Sequence, residues 1–294
     1  MNVKKWINQN CHDLTGKYVA ITGATGGIGQ EIVHILARLN ANIIFLGRDQ
    51  GKSDLLKQKL LALYPTLDIS ILDIDLSDIE SVKRCLDELY KFDHIDILIH
   101  NAGIYNVPLC KTSTGYNNVF HVNFVSPYYL TKQLFPLLKK SESPKVVVVG
   151  SIAHNYSHID TDDIDFSTRK KASKIYGNSK RFLMYSMYEL FKNEDKIKLA
   201  ITHPGITSTN MTNHYPKFIY WLIKYPMKVI FMSPKKACLS IIKGIYENCN
   251  YHEWIGPKIF NIWGAPKKRK LKTCSMQESK NIFDIAEDIY SSLK

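Results

Sequence analysis

The chain has 294 residues, 45% of them hydrophobic and 22% charged, with a formal net charge of +12; this excludes a disordered tail and suffices for one large α/β core. Its six cysteines, at 11, 85, 110, 238, 249 and 274, form no CxxC pair and no cluster with the ten histidines, so neither a disulfide scaffold nor a metal site is expected. The opening MNVKKWINQNCHDLTGK lacks an apolar run of signal-peptide length, and no stretch reaches the ~20 residues of a membrane span, so the expected location is cytoplasmic, with membrane association left open.

From Lys17 onward, short apolar runs alternate with helix-period segments, as in a parallel sheet with crossover helices. Strands are predicted at Tyr18–Thr22, Asn42–Leu46, Leu67–Leu72, Ile95–His100, Lys145–Gly150 and Ile197–Thr202, with a short seventh near Glu253–Ile255. Helices are predicted at Gly27–Leu39, Ser53–Tyr64, Asp78–Tyr90, Gly115–Lys139, Ala172–Lys192, Pro234–Glu247 and Ser275–Leu293. No internal repeat or linker divides the series, so a single domain over 1–294 is expected. The right-handed crossover rule makes it a Rossmann-type, doubly wound α/β fold with strand order 3-2-1-4-5-6-7 and helices on both faces. Its ligand crevice then lies beyond the carboxyl ends of the strands.

The first strand runs into TGATGGIG, where Gly23, Gly27 and Gly29 lead into a helix. Glycines let the backbone approach a pyrophosphate, and the unpaired N–H groups and positive dipole of the helix N-terminus hold its charge. The second strand ends on Gly47-Arg48-Asp49. A guanidinium there suits a ribose 2′-phosphate, whereas the plainer reading is a solvated Arg48 and an Asp49 that caps the next helix. Asp75 in a DLS segment follows the third strand, and Asn101-Ala102-Gly103 the fourth. Each alone reads equally well as a turn.

Tyr176-Gly177-Asn178-Ser179-Lys180 falls on a predicted helix, where the i, i+4 spacing sets phenol and ammonium side by side. A free phenol has a pKa near ~10 and is a poor base at neutral pH, so it needs the ammonium to stabilise its phenolate. Ser151 ends the fifth strand, Asn123 lies in VNFVSPYYLT on the preceding helix, and Pro204-Gly205 follows the sixth strand.

The TGxxxGxG spacing, the NAG triplet, YxxxK and the ordered set Asn123, Ser151, Tyr176, Lys180 resemble the short-chain dehydrogenase/reductase family over roughly residues 15–250. The resemblance implies an oxidoreductase that interconverts an alcohol and a carbonyl with NADP(H) in preference to NAD(H). In it Tyr176 exchanges the proton, Ser151 hydrogen-bonds the reacting oxygen, Lys180 tunes Tyr176 and binds the nicotinamide ribose, and Asn123 holds a relay water. It places Gly23, Thr25, Gly27, Ile28, Gly29, Arg48, Asp75, Leu76, Asn101, Ala102, Gly103, Pro204, Gly205, Ile206 and Thr209 around the cofactor, beside Tyr176 and Lys180. SIAHNYSHIDTDDIDF, HPG and the closing IAEDIYSSL resemble the retinol dehydrogenase and WW-domain oxidoreductase branch; Gly150 and Leu183 depart from its pattern.

Between Pro216 and Pro234 the chain is strongly apolar, with Lys217, Lys224 and Lys228 its only charges. A substrate-covering helical insertion at about 211–233 is expected, and with it a small apolar carbonyl or alcohol such as a retinoid, steroid or lipid. Contact with a membrane surface, or between the two copies of a homodimer, is the competing use of the same segment. The densest basic run, Lys267, Lys268, Arg269, Lys270 and Lys272, lacks an aromatic-interleaved RNA motif or a DNA-binding module, so it is read as solvated and no nucleic-acid partner is expected. Two rivals remain: a catalytically silent NADP(H)-binding regulatory or scaffold protein, and a peripheral membrane protein of the same fold.

Overall fold

The computed structural model describes residues 1–207, 232–271 and 274–294; Thr209 and all but the last two residues of the expected insertion at 211–233 lie outside them. Strands β1 (Tyr18–Thr22), β2 (Asn42–Gly47), β3 (Ile69–Asp73), β4 (Ile97–His100), β5 (Lys145–Val149), β6 (Lys198–Thr202), β7 (Glu253–Ile259) and β8 (Trp263–Lys270) form one sheet. Their order is β3-β2-β1-β4-β5-β6-β7-β8. The first seven follow the expected order and run parallel; β8 returns antiparallel to β7 and closes that edge. Expecting seven strands therefore fell one short, because β8 carries the basic run taken for a solvated segment. An edge strand exposes one side to water, so Lys267, Lys268 and Lys270 occupy it without loss, and such charges protect the open edge from stray pairing.

The central strands β4 and β5 are buried at every position, as a sheet covered on both faces demands. Against one face pack α2 (Gly27–Arg38), α3 (Gln50–Leu63) and α7 (Pro234–Tyr246), together with α1 (Val3–Asn10), a short helix that the sequence pattern did not indicate. The other face takes α4 (Ile79–Leu89), the long helix α5 (118–138), α6 (Ala172–Leu190) and α8 (Met276–Ser292). Caps set the starts: Asp49 accepts from Lys52 N at 3.0 Å and begins α3, so the helix opens three residues ahead of the expected Ser53. Among the described residues no helix is long and apolar enough to cross a membrane.

Helix α5 is not uniform. Between Asn118–Phe120 and Ser126–Leu138 the segment His121–Val125 is π-helical. The Leu76 carbonyl fixes this wide turn, accepting from His121 Nδ1 at 2.8 Å and from Ser126 Oγ at 2.7 Å. One extra residue in the turn re-aims the side chains within it, and one of these is Asn123.

Candidate active site

The carboxyl ends of β1, β2, β4, β5 and β6 meet along one edge of the sheet. At β1, Gly23 has φ +69°, and a Cβ on it would lie 3.0 Å from the Ala102 Cα. A Cβ on Gly29 would lie 2.1 Å from the Gly23 carbonyl oxygen, so only glycine lets α2 start this close to the strand. Gly26 and Gly27 are exposed and no side chain caps the first turn, which leaves its N–H groups facing outward. Thr25 and Ile28 flank them, half-buried. A hub missed from the sequence is Thr22, although it stands inside the glycine motif. Its Oγ1 accepts from Asn101 N at 3.1 Å and Ala102 N at 3.0 Å, while the Asn101 amide donates to the carbonyls of Thr22 and Gly23. Asn101 thus ties β4 to the glycine loop.

At β2 no carboxylate stands where a ribose diol would need one. Arg48 is exposed, its guanidinium 3.7 Å from Asp75 Oδ2, while Asp75 Oδ1 accepts from Ser77 N at 2.8 Å and Ser77 Oγ at 2.7 Å. Partial burial of Asp75 opposes ionisation, but the Ser77 hydrogen bonds and the Arg48 charge outweigh it and hold the carboxyl below its usual range. Asp49 serves as the helix cap. At β6, Pro204 leads into Gly205 at φ +85°, where a Cβ would lie 2.7 Å from the Ile262 carbonyl oxygen. The Ile206 carbonyl accepts from Met232 N at 2.8 Å.

Four side chains converge between β4, β5 and α6. Ser151 caps a 3-10 turn, Ile152–Tyr156, accepting from Ala153 N at 3.2 Å. Its hydroxyl lies close enough to that of Tyr176 to favour the phenolate, and the Tyr176 ring meets Tyr105 edge-on at 5.2 Å. A Cβ on Gly177 would lie 2.3 Å from the Ala153 carbonyl oxygen, so this glycine, inside YxxxK, is what allows α6 to press Tyr176 against the serine turn. Lys180 is buried, donates to the Val149 carbonyl at 2.9 Å, and has its Nζ 5.9 Å from the Tyr176 ring centre. Asn123 accepts from Ile104 N at 2.8 Å and donates to the Ile104 carbonyl at 2.9 Å and Ser179 Oγ at 3.0 Å. Both its amide hydrogens are thereby used, and Oδ1 keeps a lone pair beside Gly103, where a Cβ would lie 3.2 Å from it and 3.4 Å from Lys180 Nζ.

Burial drives the two titrating groups toward neutrality. It pushes the Tyr176 phenol up to about 12, against the influence of the neighbouring Ser151 hydroxyl, and the Lys180 ammonium down to about 8. The frame around them does not titrate near neutrality. Burial pushes His154 down to about 4 and His203 to about 3, and the two rings pack edge-on and stacked against Trp254. His154 Nδ1 lies 2.5 Å from the Ser151 carbonyl oxygen. The departure at Gly150 also has a local cause, since a Cβ there would lie 2.6 Å from Met184 Sδ, which fills the space of a larger residue. Leu183 is core.

The serine turn has a distant brace that no local motif disclosed. Arg181, fully buried next to Lys180, donates to the His154 carbonyl at 3.0 Å and to both Glu278 carboxylate oxygens at 2.8 and 2.6 Å, across 97 residues. Ser275 caps α8 by accepting from Glu278 N at 3.0 Å; nothing in the sequence signalled the bond to Arg181. Glu278→Ala takes the counter-charge from a buried guanidinium and is expected to lower unfolding free energy by about 3–5 kcal/mol. Urea denaturation measures this, and a loss below about 1 kcal/mol would mean the brace carries no load. A cavity of about 280 Å³ lined by Phe191, Ile197, Leu199, Cys249 and Tyr251 opens at the opposite, amino-terminal edge and takes no part in the site.

An open glycine turn before a helix, a cationic second strand end, and a half-buried serine and tyrosine beside a buried lysine and asparagine on one sheet edge define a nucleotide-dependent redox enzyme. The residues fit a nicotinamide dinucleotide: the α2 first turn is open for its pyrophosphate and the bare Gly103 leaves room next to Lys180. The short chain dehydrogenase family model matches residues 17–218. Retinol dehydrogenase 14 of Mus musculus is 29% identical over 297 residues, covering 95% of this chain and 87% of that protein. Retinol dehydrogenase 12 of the same species is 31% identical over 217 residues, 72% of this chain and 69% of that protein. Among solved structures, a Mycobacterium paratuberculosis protein aligns with a TM-score of 0.73 at 22% identity over 97% of this chain and 96% of its own. The Pseudomonas aeruginosa RhlG/NADP active-site complex aligns at 0.62 and 23% over 81% and 94%. The chain belongs to the short-chain dehydrogenase/reductase family, in its retinol dehydrogenase branch. It is an oxidoreductase acting on CH–OH groups with a nicotinamide cofactor.

Proposed function

We propose that the protein interconverts an apolar alcohol and its aldehyde or ketone, preferring NADP(H), with Asn123, Ser151, Tyr176 and Lys180 as its working groups. The observation that carries the reading is the convergence of the Ser151 and Tyr176 hydroxyls with the buried ammonium of Lys180, whose Nζ lies 5.9 Å from the Tyr176 ring centre. The bound cofactor supplies or accepts the hydride. In the reducing direction Tyr176 gives its proton to the carbonyl oxygen while Ser151 Oγ–H donates to the same oxygen. The phenolate so formed is stabilised by Lys180, and Oδ1 of Asn123 accepts from a water that returns the proton.

The glycine turn with Thr25 and Ile28 would hold the pyrophosphate, Asp75 and Leu76 the adenine, Asn101 to Gly103 the adjoining ribose, and Pro204 to Ile206 the nicotinamide. Thr209 would join them. An apolar substrate is supported by the names of the relatives, which are retinol dehydrogenases, and by the apolar composition of 216–234. That segment is proposed as the substrate cover, with membrane contact and homodimer formation as its other uses.

The NADP(H) preference rests on Arg48, exposed and only loosely paired, at a strand end without a carboxylate. Arg48→Asp removes a charge-assisted partner and sets a negative charge against the 2′-phosphate. Catalytic efficiency with NADPH is expected to fall by about tenfold or more relative to NADH. Equal efficiency with both cofactors in the unaltered protein overturns the preference. A screen of NADPH consumption over retinal, steroid ketones and short aldehydes tests the whole reading.

A further inference from the structure

The β7–β8 hairpin projects at the edge where the catalytic groups lie, and its tip is built against the usual rules of a soluble turn. Ile259 and Phe260 are 49% and 80% exposed. The turn closes with Ile262 N donating to the Ile259 carbonyl at 2.9 Å, and its two central residues, Phe260 and Asn261, have φ +49° and +58°. Both left-handed positions are ones that glycine or asparagine normally takes. A bulky aromatic ring is therefore held out to water on strained backbone.

The surrounding charge has one sign. Residues 254–271 include Lys258, Lys267, Lys268, Arg269 and Lys270 and no aspartate or glutamate. Edge protection accounts for lysines along β8 but not for an apolar tip. Lys268 is engaged at the far end of the hairpin, 3.8 Å from Glu253. Arg269 instead folds back toward the turn, donating to the Lys258 carbonyl and to Asn261 Oδ1 at 3.3 Å, which gathers cations near the tip.

Position supplies the orientation. Gly205, after β6, packs beneath Ile262, and the Asn261 carbonyl lies 3.1 Å from His203 Nε2. The tip thus belongs to the carboxyl edge of the sheet. Two further exposed apolar side chains, Leu109 and Tyr156, stand on the segments that follow β4 and β5 at that same edge.

We propose that this hairpin docks the protein on an anionic lipid bilayer, with Ile259 and Phe260 entering the headgroup boundary and Lys258, Lys267 and Arg269 facing the lipid phosphates and carboxylates. The active-site edge then faces the membrane, where an apolar alcohol or aldehyde concentrates. That last consequence rests on the oxidoreductase reading; the docking surface does not.

Co-sedimentation of the full chain with phosphatidylcholine vesicles, with and without phosphatidylserine, tests the surface. Binding is expected only with the anionic lipid and is released by salt. Phe260→Asn removes the ring and suits the left-handed backbone, so partition should fall about tenfold while the melting temperature holds or rises. Lys258→Glu with Lys267→Glu should cost at least about fivefold for each charge. The proposal fails if the unaltered protein ignores anionic vesicles or if Phe260→Asn binds as well as it. It also fails if Phe260→Asn turns a dimer into a monomer in sedimentation velocity with vesicle binding intact, since the tip would then join two copies. Vesicle binding is read without substrate, so a chain that docks but reduces no carbonyl fails as an oxidoreductase and not as a membrane-docking protein.

Discussion

Tyr176→Phe is expected to lower carbonyl reduction by roughly 10²–10⁴-fold, the range of a lost general acid, with cofactor affinity close to that of the unaltered protein. The ring keeps its edge-on contact with Tyr105, and only the hydroxyl beside Ser151 is deleted. Fluorescence titration with NADPH and turnover by absorbance separate the two quantities. Near-normal turnover would remove Tyr176 from the chemistry and favour a nucleotide-binding protein without catalysis.

Lys180→Met is expected to give the opposite pairing, an apoprotein more stable than its parent and an enzyme without useful activity. Burial lowers Lys180 from its ordinary 10.5 to about 8, which corresponds to a folding penalty of roughly 3 kcal/mol for the charged form. Losing the hydrogen bond to the Val149 carbonyl costs about 1 kcal/mol, so a net gain of about 2 kcal/mol should remain. The pH dependence follows with its sign. Below about pH 8 the lysine is charged in folded and unfolded chains alike, and the fold bears the whole penalty. Between about 8 and 10.5 the unfolded chain binds more protons, so the contribution of this group to stability rises with pH. Lys145, also pushed down to about 8 by burial, acts in the same sense. Denaturation of the parent and the variant at pH 7 and pH 9 measures both effects; a variant less stable than its parent at pH 7 would show that Lys180 is not held at a cost.

Much of this architecture is written in local patterns. The parallel strands could be placed because each is a short apolar run bounded by turns, and YxxxK because its spacing is a helical repeat. What stayed illegible depends on distant partners. The β8 run has the composition of a solvated loop, and it becomes a strand only because β7 offers an edge. The π-helical turn around Asn123 follows from the Leu76 carbonyl, 45 residues earlier than His121, and no periodicity in α5 announces it. Arg181 looked like one more charge on a helix. Its burial against Glu278 is a tertiary event, and so is the part Gly177 plays in seating Tyr176, since only the approach of Ala153 makes a side chain there impossible.

The brace between Arg181 and Glu278 also sets an order of events during synthesis. Domains assemble from the amino end as the chain is made, and β1 to β6 with α6 are all encoded before α8. Until α8 docks, the guanidinium that supports the Ser151 turn lacks its ion pair with Glu278. A nascent chain can thus complete the glycine turn and most of the sheet before the Ser151 turn has this support. Nucleotide affinity should then emerge ahead of turnover, with α8 supplying the brace that completes the serine turn.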